Sequence, residues 1–294
     1  MSDYLTTREL AALLRIKERK VYDLAASGQV PCTKATGKLL FPRREVERWL
    51  AAAQSSQRHN PPSTPPPAVF LGSHDPLLEW ALRESCTGIA SAFDSSLDGL
   101  TRFQARQGMA TGMHLLESAS GTWNIRQVQA TCGGEPVVLV AWARRRRGLL
   151  VRRDDTRSIQ GIADLPGQRL AARQAEAGAQ HLLRHLLARD GVDADAINVV
   201  GAARSELDAA LMVSEGKADV AFGLEVIAKL LGLPFVPVIE ECFDLLVDRH
   251  AWFEPAFQTF WAFCQGAAFA TRARDLAGYD ISDLGAVRFN GPPS

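Results

Sequence analysis

The spacing of apolar residues divides the chain into two parts. In the first fifty residues, apolar side chains recur at helical intervals, with Leu10, Leu13 and Leu14 on one face and Val21 and Leu24 on the next. From residue 69 onward, short apolar runs alternate with helical stretches. A small helical head and a larger α/β domain with largely parallel strands are therefore predicted.

Local signals divide the head into three helices and a hairpin. A capping-box pattern at Thr6-Thr7-Arg8-Glu9 predicts the first helix, and the apolar spacing predicts a second from Glu18 to Ala26. The β-prone runs around Thr36-Gly37-Lys38 predict a hairpin, and Pro42 begins a third helix.

A boundary separates the head from the larger domain. Residues 52–67 are rich in proline and almost free of apolar side chains, so we expect an extended, semi-rigid linker. The predicted domains are residues 1–51, the linker 52–67, and residues 68–294. The α/β alternation, with a crossing midway, suits two lobes around a cleft, and the apolar tail at 255–276 should pack on the first lobe.

Charge and cysteine content narrow the classes of protein. Basic and acidic side chains balance at 33 each, but residues 1–50 carry ten basic against six acidic ones, an excess that permits DNA binding. The five cysteines lack the spacing of a metal site or a disulfide framework. Because the sequence shows no signal-peptide pattern and no apolar run of membrane-spanning length, we expect a cytoplasmic protein without membrane contact.

The head resembles the winged helix-turn-helix of the excisionase and mercury-regulator families. The residues that carry the resemblance are Leu5, Thr6, Glu9, Leu10, Ala11, Leu13, Leu14, Lys20, Val21, Tyr22, Gly28, Val30, Pro31, Gly37, Lys38, Phe41, Pro42, Arg43, Glu45, Val46, Trp49 and Leu50. In these families the second helix enters the major groove of double-stranded DNA and the wing touches the flanking backbone. The resemblance implies the same docking here.

Basic side chains occupy the positions that this docking requires. The candidate DNA contacts lie around the second helix, on the wing and at the third helix: Arg15, Lys17, Arg19, Lys20, Tyr22, Lys34, Lys38 and Arg43. For Tyr22 two roles are open, since it can cap the small core or bond a phosphate. One head makes few contacts, so we expect a homodimer or higher homo-oligomer on a two-fold repeated site.

Residues 69–290 resemble the PBP-like domain of bacterial regulators, which is similar to type 2 periplasmic binding proteins for molybdate and related oxyanions. Four stretches carry the resemblance: 71–79, 95–117, 164–187 and 206–247. It implies a two-lobed α/β fold with a small-molecule or oxyanion effector in the cleft, molybdate or tungstate being the first candidates. It implies neither a covalently bound cofactor nor catalytic residues.

Loops that lead from parallel strands into helix N-termini supply the candidate ligand-binding residues, because free N–H groups there attract an anion. The candidates are Ser73, His74, Ser95, Ser96, His114, Arg173, Gln174, Gly178 and Glu241. For Ser73 and Ser95 the alternative is a helix cap, and for the two histidines a structural role. Glu241 either orients donors or joins a hinge salt bridge.

One stretch departs from the oxyanion-binding pattern. The family has a Gly-Ser-Gly-Thr-Arg-like run after Arg-Gln, whereas residues 176–180 read Glu-Ala-Gly-Ala-Gln. The hydroxyls and the arginine of an anion cradle are missing, and Glu176 competes with an anion for the helix start. The ligand is then a different, larger or less charged molecule, or an oxyanion held mainly by the first lobe.

The arginine run and two alternative functions, an enzyme and an architectural protein, need separate interpretation. The run Arg144-Arg145-Arg146-Arg147 is interpreted as a solvated edge or turn, with contact to the DNA backbone or pairing with Asp154 and Asp155 as alternatives. Similar two-lobed folds host enzymes, and Cys242 would be the nucleophile, but no base partner is recognisable around it. An excisionase-like architectural protein would not need so large a second domain. We therefore expect a regulator and not an enzyme.

Replacing Arg19 and Lys20 together by alanine should greatly weaken binding to the protein's own promoter, because contacts of the recognition helix are lost. The slope of log affinity against log salt should flatten by roughly one for each lost phosphate contact. Gel-shift titrations at several salt concentrations measure both quantities. Unchanged binding would refute this placement of the recognition helix.

Overall fold

The computed structural model describes residues 4–28, 30–34, 37–57, 65–117, 120–154 and 159–293. Contacts between residues divide the chain into two compact units, Met1–Ser63 and Thr64–Ser294. Within the described ranges, no helix has both the length and the apolar character needed to cross a bilayer.

The head contains three helices and two short strands. They are β1 (Tyr4–Thr6), α1 (Thr7–Leu14), α2 (Glu18–Ala26), β2 (Leu40–Pro42) and α3 (Arg43–Gln57). The predicted capping box is present: the N–H of Glu9 donates to Thr6 Oγ1 at 3.3 Å, and the N–H of Thr6 donates to Glu9 Oε2 at 2.8 Å. Leu10, Val21 and Phe41 are buried in the core of this unit.

Two features of the head differ from the prediction. The strand β1 precedes α1 and pairs antiparallel with β2, whereas the described part of the predicted hairpin contains one bridge, between Thr33 and Leu40. Thr36 at its tip lies outside the described residues. The helix α3 runs on to Gln57, so the first residues of the predicted linker are helical.

The larger unit alternates strands with helices, as predicted. Its first part contains β3 (Val69–Gly72), α4 (Pro76–Glu84), β4 (Ala90–Phe93), α5 (Ser96–Gln104), β5 (Ala110–Met113) and α6 (Ile125–Cys132). Its middle part contains β6 (Val137–Val151), β7 (Arg169–Arg173), α7 (Gly178–Arg189), β8 (Asn198–Ala203), α8 (Glu206–Ser214), β9 (Val220–Leu224) and α9 (Glu225–Leu231). Its last part contains β10 (Phe235–Asp248), α10 (Arg249–Trp252), α11 (Pro255–Cys264), α12 (Ala267–Asp275), β11 (Tyr279–Asp280) and β12 (Val287–Asn290).

A ten-stranded sheet runs through this unit in the order β4-β3-β5-β10-β6-β9-β7-β8, and β11 and β12 also pair with β6. In the first lobe β3 is parallel to β4 and β5, and in the second lobe β7 is parallel to β8 and β9. The long strands β6 and β10 are antiparallel and cross between the lobes side by side. The predicted two-lobed α/β architecture is thus confirmed, with two crossing strands.

The apolar tail packs on the first lobe, as predicted. Phe257 and Phe260 of α11 and Phe269 of α12 are buried with Phe70 of β3 and Trp142 of β6. The ring centroids of Phe70 and Phe260 are 5.3 Å apart, and those of Trp142 and Phe260 are 6.0 Å apart. The tail therefore completes a core that β3 begins almost two hundred residues earlier.

Replacing Phe260 by alanine should lower the free energy of unfolding by about 3–5 kcal/mol, because a fully buried ring leaves a cavity. The matched control is Phe253→Ala, which removes a ring that is 73% exposed and should cost less than about 1 kcal/mol. Denaturant unfolding followed by circular dichroism compares the two. Equal losses would contradict the packing of α11 in the core.

Candidate ligand-binding cleft and DNA-binding surface

A cavity of about 500 Å³ lies between the two lobes. Ser73 follows β3, Asp94 follows β4 and His114 follows β5, while Arg173 ends β7 and Arg204 follows β8. The carboxyl ends of parallel strands meet at one edge of a sheet, so each lobe presents its loops to the other. The lining residues are Ser73, His74, Phe93, Asp94, Ser95, His114, Arg173, Gln174, Ala177, Gly178, Ala179, Arg204, Ser205 and Glu206.

The structure brings the predicted ligand-binding residues together. Those that line the cavity are Ser73, His74, Ser95, His114, Arg173, Gln174 and Gly178. Ser96 and Glu241 are buried behind it. The hydroxyls of Ser96 and Ser73 are 2.7 Å apart, and the backbone N–H of His114 donates to Ser96 Oγ at 3.2 Å.

Three helices, α5, α7 and α8, begin at the cavity wall. Ser95 caps α5 by accepting the N–H of Asp98 at 3.1 Å, and Ser205 caps α8 by accepting the N–H of Asp208 at 3.0 Å. The helix α7 begins at Gly178 and has no side-chain cap. Its positive end therefore faces the cavity without a side-chain cap.

The two serines with a predicted capping alternative have different roles. Ser95 is a cap and also lines the cavity. Ser73 is not a cap, because α4 is capped by Asp75, whose Oδ1 accepts the N–H of Leu78 at 2.7 Å. Ser73 therefore keeps its hydroxyl for Ser96 and for the cavity.

Five charged side chains form an ion cluster that is buried behind the cavity except at Glu206, which lies on the cavity wall: Asp75, Arg145, Arg147, Glu206 and Glu241. Arg145 contacts Glu241 through Nη2 and lies 2.8 Å from Asp75 Oδ2 through Nη1. Arg147 lies 2.8 Å from Glu241 Oε2 and 2.6 Å from Glu206 Oε1. The cluster therefore joins the first lobe, both crossing strands and the second lobe.

The interpretation of the arginine run as a solvated edge or turn was wrong. The run lies within β6, where successive side chains point to opposite faces. The side chains of Arg145 and Arg147 are 1% and 0% exposed, whereas those of Arg144 and Arg146 are 36% and 55% exposed. Two of the four arginines are therefore closed to DNA.

The acidic partners suggested for this run are also different. Arg144 lies 2.6 Å from Asp280, and Asp154 lies 2.9 Å from Arg152. Asp155 lies outside the described residues. Asp154 thus does not pair with the run, whereas the carboxylate of Glu241 pairs with Arg145 and Arg147.

Ion pairing offsets the cost of burial for Glu241 and the two arginines. Burial alone would raise the pKa of Glu241, but Arg145 and Arg147 hold that pKa well below its usual value. Burial would lower the pKa of Arg145, and the carboxylates of Glu241 and Asp75 raise it above its usual value instead. Glu241 stands directly opposite Arg145 in the register of β10 and β6, so strand pairing itself brings the two charges together.

Arg173, a predicted anion contact, is partly engaged in the fold. Its Nε donates to the carbonyl of Ala203 at 3.2 Å and its Nη2 to the carbonyl of Arg204 at 2.9 Å, so it ties the end of β7 to the end of β8. Burial lowers the pKa of Arg173. Arg204 itself is exposed on the same wall of the cavity.

Sequence reasoning missed several lining residues and most of the ion cluster. Arg204, Ser205 and Glu206 repeat at β8 and α8 the strand–serine–helix pattern found at Ser95. The repeated pattern could have identified these three residues as candidates for the cavity wall. The buried arginines could have been found from their position inside the apolar run of residues 137–151.

The predicted DNA contacts lie on the surface of the head. Arg15 and Lys17 flank the turn between α1 and α2, and Arg19 and Lys20 are exposed on the first turn of α2. The others are Lys34 and Lys38, which are exposed, and Arg43, which is half-buried at the start of α3. Tyr22 is 52% exposed, so its ring is more available to a phosphate than to the core.

Comparison with known families matches both units. The family model described as "PBP superfamily domain" matches residues 79–265, and the one described as "Helix-turn-helix domain" matches residues 4–54. A curated relative, "Uncharacterized protein YvgK" of Bacillus subtilis (strain 168), is 25% identical over 259 residues. The match covers 82% of this chain and 84% of that protein.

Two solved structures are similar to this chain at low identity. A Corynebacterium glutamicum OxyR cysteine-to-serine mutant with H2O2 bound has a TM-score of 0.50 and 13% identity, with 91% of this chain and 90% of that chain covered. PhnD1 from Prochlorococcus marinus (MIT 9301), in complex with methylphosphonate, has a TM-score of 0.49 and 10% identity, with 74% and 92% covered. The likeness to OxyR concerns the fold alone.

Replacing Glu241 by glutamine should lower the free energy of unfolding by about 3–5 kcal/mol, because the buried guanidinium groups lose their shared carboxylate. Glu240→Gln is the matched control on the same strand, since the Glu240 side chain is 52% exposed, and it should change stability by less than about 0.5 kcal/mol. Chemical denaturation at neutral pH measures both variants.

The same pair of variants tests the pH dependence. The pKa of Glu241 is lowered in the folded state, so its contribution is present above the ordinary value of 4.5 and is lost as pH falls toward the folded value. Below about pH 4.5 the wild type should therefore lose stability more steeply than Glu241→Gln. Parallel acid profiles for the two proteins would contradict an ionised Glu241.

Proposed function

Because this chain belongs to the PBP superfamily and carries a helix-turn-helix domain, we propose that it is a one-component transcription regulator whose head binds promoter DNA and whose cleft senses a small ligand. One observation carries this proposal. A single chain combines an exposed cationic surface on a helix-turn-helix head with a cavity that both lobes line with hydrogen-bond donors.

The head supports docking of α2 in the major groove. The exposed cations lie at the start of that helix, where base edges and phosphates are reached together. One head offers few contacts, so we propose that two copies of the chain read a two-fold repeated site. A protein that binds promoter DNA must act where that DNA is, so the proposal includes a cytoplasmic location.

The cavity supports an anionic group in the ligand. The hydroxyls of Ser73 and Ser95, the guanidinium group of Arg204 and the uncapped start of α7 are donors or positive groups on its wall. Molybdate and tungstate, which the resemblance to oxyanion-binding proteins suggests, are therefore candidate effectors.

A small organic anion is the second candidate, and three observations favour it. The carboxylates of Asp94 and Glu206 also line the cavity, and they oppose a fully ionised oxyanion. The volume of about 500 Å³ lies in the range of cavities that hold organic ligands. His74 and Phe93 meet edge to face at 5.7 Å and give one side of the cavity an aromatic surface.

Binding without turnover is the simplest function for this cleft. Cys242, the nucleophile of the enzyme alternative, lies on β10 and is partly buried. Burial raises the pKa of its thiol to about 11, so little thiolate is present at neutral pH. Nucleophilic attack by Cys242, which the enzyme alternative requires, is therefore not favoured.

Closure of the lobes supplies a mechanism for the response. A side-chain carbon placed on Gly178 would lie 3.0 Å from His114 Cε1 and 3.3 Å from Ser96 Oγ, so glycine leaves room for a close approach of the two lobes here. A ligand that binds the closed form more tightly would shift the protein toward it and change the spacing of two heads.

The test is DNA affinity with and without effector. Fluorescence anisotropy of the full chain on its own upstream DNA should change when molybdate, tungstate or a member of a set of small carboxylates is added, with a thermal-shift screen choosing the concentrations. If the protein binds its DNA specifically but no probe changes that affinity or shifts its melting temperature, the result would indicate an architectural protein. Absence of specific DNA binding would reject the regulator.

Replacing Gly178 by valine should uncouple DNA binding from the response to ligand. The valine side chain would meet His114 and Ser96 and hold the lobes apart. DNA affinity without ligand should stay within about twofold, while the ligand-dependent change, roughly 5- to 150-fold for coupled sites, should fall to near one. Gly161→Val is the control, because among the described residues no atom beyond the two chain neighbours lies within 4 Å of the added carbon there. A normal response in Gly178→Val would contradict closure as the signal.

A further inference from the structure

His114 is the residue through which the ion cluster reaches the cavity. Its side chain is 5% exposed and lines the cavity, and its Nδ1 lies 3.0 Å from Glu241 Oε2. The edge of the ring that contains Cε1 and Nε2 faces Gly178 at the start of α7, within 3.0 and 3.1 Å of the position of an added side-chain carbon. The ring therefore turns Nδ1 toward the cluster and Nε2 toward the cleft.

The proton of the imidazole ring belongs on Nδ1. Glu241 accepts from Arg145 and from Arg147 at 2.8 Å, so its carboxylate is held ionised and has no proton to give. The contact between Nδ1 and Glu241 is close but is not aligned as a hydrogen bond. Even so, a lone pair on Nδ1 would face a negative oxygen at 3.0 Å and be repelled, whereas an N–H there is attracted.

The ring is neutral in this environment. Burial lowers the pKa of His114, and the nearby carboxylate of Glu241, already shared by two arginines, raises it by less. A neutral ring with its proton on Nδ1 carries a lone pair on Nε2. Among the described residues, none donates a hydrogen bond to this nitrogen, so the lone pair is left for a ligand.

We infer that His114 is a hydrogen-bond acceptor in the cleft, and that the ligand is a small organic anion bearing an N–H or O–H donor rather than a fully ionised tetrahedral oxyanion. This inference rests on the proposed ligand-binding function of the cleft. Molybdate at neutral pH offers only hydrogen-bond acceptors. Its oxygens would therefore be repelled by the lone pair on His114 Nε2 and by the carboxylate of Asp94. One unpaired acceptor of this kind costs roughly 10- to 100-fold in affinity.

Glu241 is the positioning residue in this arrangement. Glu241 is buried behind the cavity wall, and its charge decides which ring nitrogen of His114 carries the proton. A site of this kind rejects ligands that lack the donor more strongly than it rejects ligands of a slightly different size.

Nitrogen NMR of the full chain labelled with 15N-histidine tests the inference, with signals of His114 identified by their loss in His114→Gln. Near pH 7 we expect a protonated Nδ1 and an unprotonated Nε2, with the other tautomer populated about tenfold less or lower. Glu241→Gln should shift this ratio toward protonated Nε2, and Glu240→Gln should leave it unchanged. A protonated Nε2 in the wild type, in either the neutral or the cationic ring, would overturn the inference.

Molybdate is the second probe, added to the same labelled protein. No response of the His114 signals at millimolar molybdate is expected. Micromolar molybdate binding that shifts these signals would overturn the ligand class. Because the tautomer is measured without DNA, this outcome is independent of whether the protein binds its promoter, and the anisotropy experiment decides the proposed function separately.

Discussion

Two guanidinium groups, buried where the chain crosses between its lobes, determine what the rest of the larger unit must supply. Arg145 and Arg147 are out of contact with water and are stabilised because Asp75, Glu206 and Glu241 approach them from three different elements. Taking such charges from water costs several kcal/mol for each ion, and good geometry has to offset it. The positions of α4, α8 and β10 relative to β6 are therefore constrained together.

The same constraint links the fold to the cleft. Glu206 belongs both to the ion cluster and to the cavity wall, and Glu241 approaches the wall through His114. A displacement of the second lobe that moves Glu206 must change the environment of Arg147. The crossing strands are thus part of the binding site's electrostatics as well as its mechanical connection.

Most of the architecture could be predicted because it depends on local patterns: the capping box at Thr6, the strand–helix alternation and the apolar tail are all visible in sequence. The candidate cleft residues were also predictable, since they follow strand ends. The apolar residues that flank Arg145 and Arg147 hint at their burial, but their partner Glu241 could not be identified, because it is almost a hundred residues away. Only strand register brings those charges together.

The order in which the first lobe is built along the chain has a consequence for its synthesis. Phe70 and Leu77 emerge from the ribosome early, whereas Phe257 and Phe269, which cover them, emerge only after the second lobe has been made. During translation the nascent first lobe therefore exposes aromatic surface for some ten seconds or more at ordinary elongation rates. The second lobe, encoded without interruption between the crossing strands, is free to fold first.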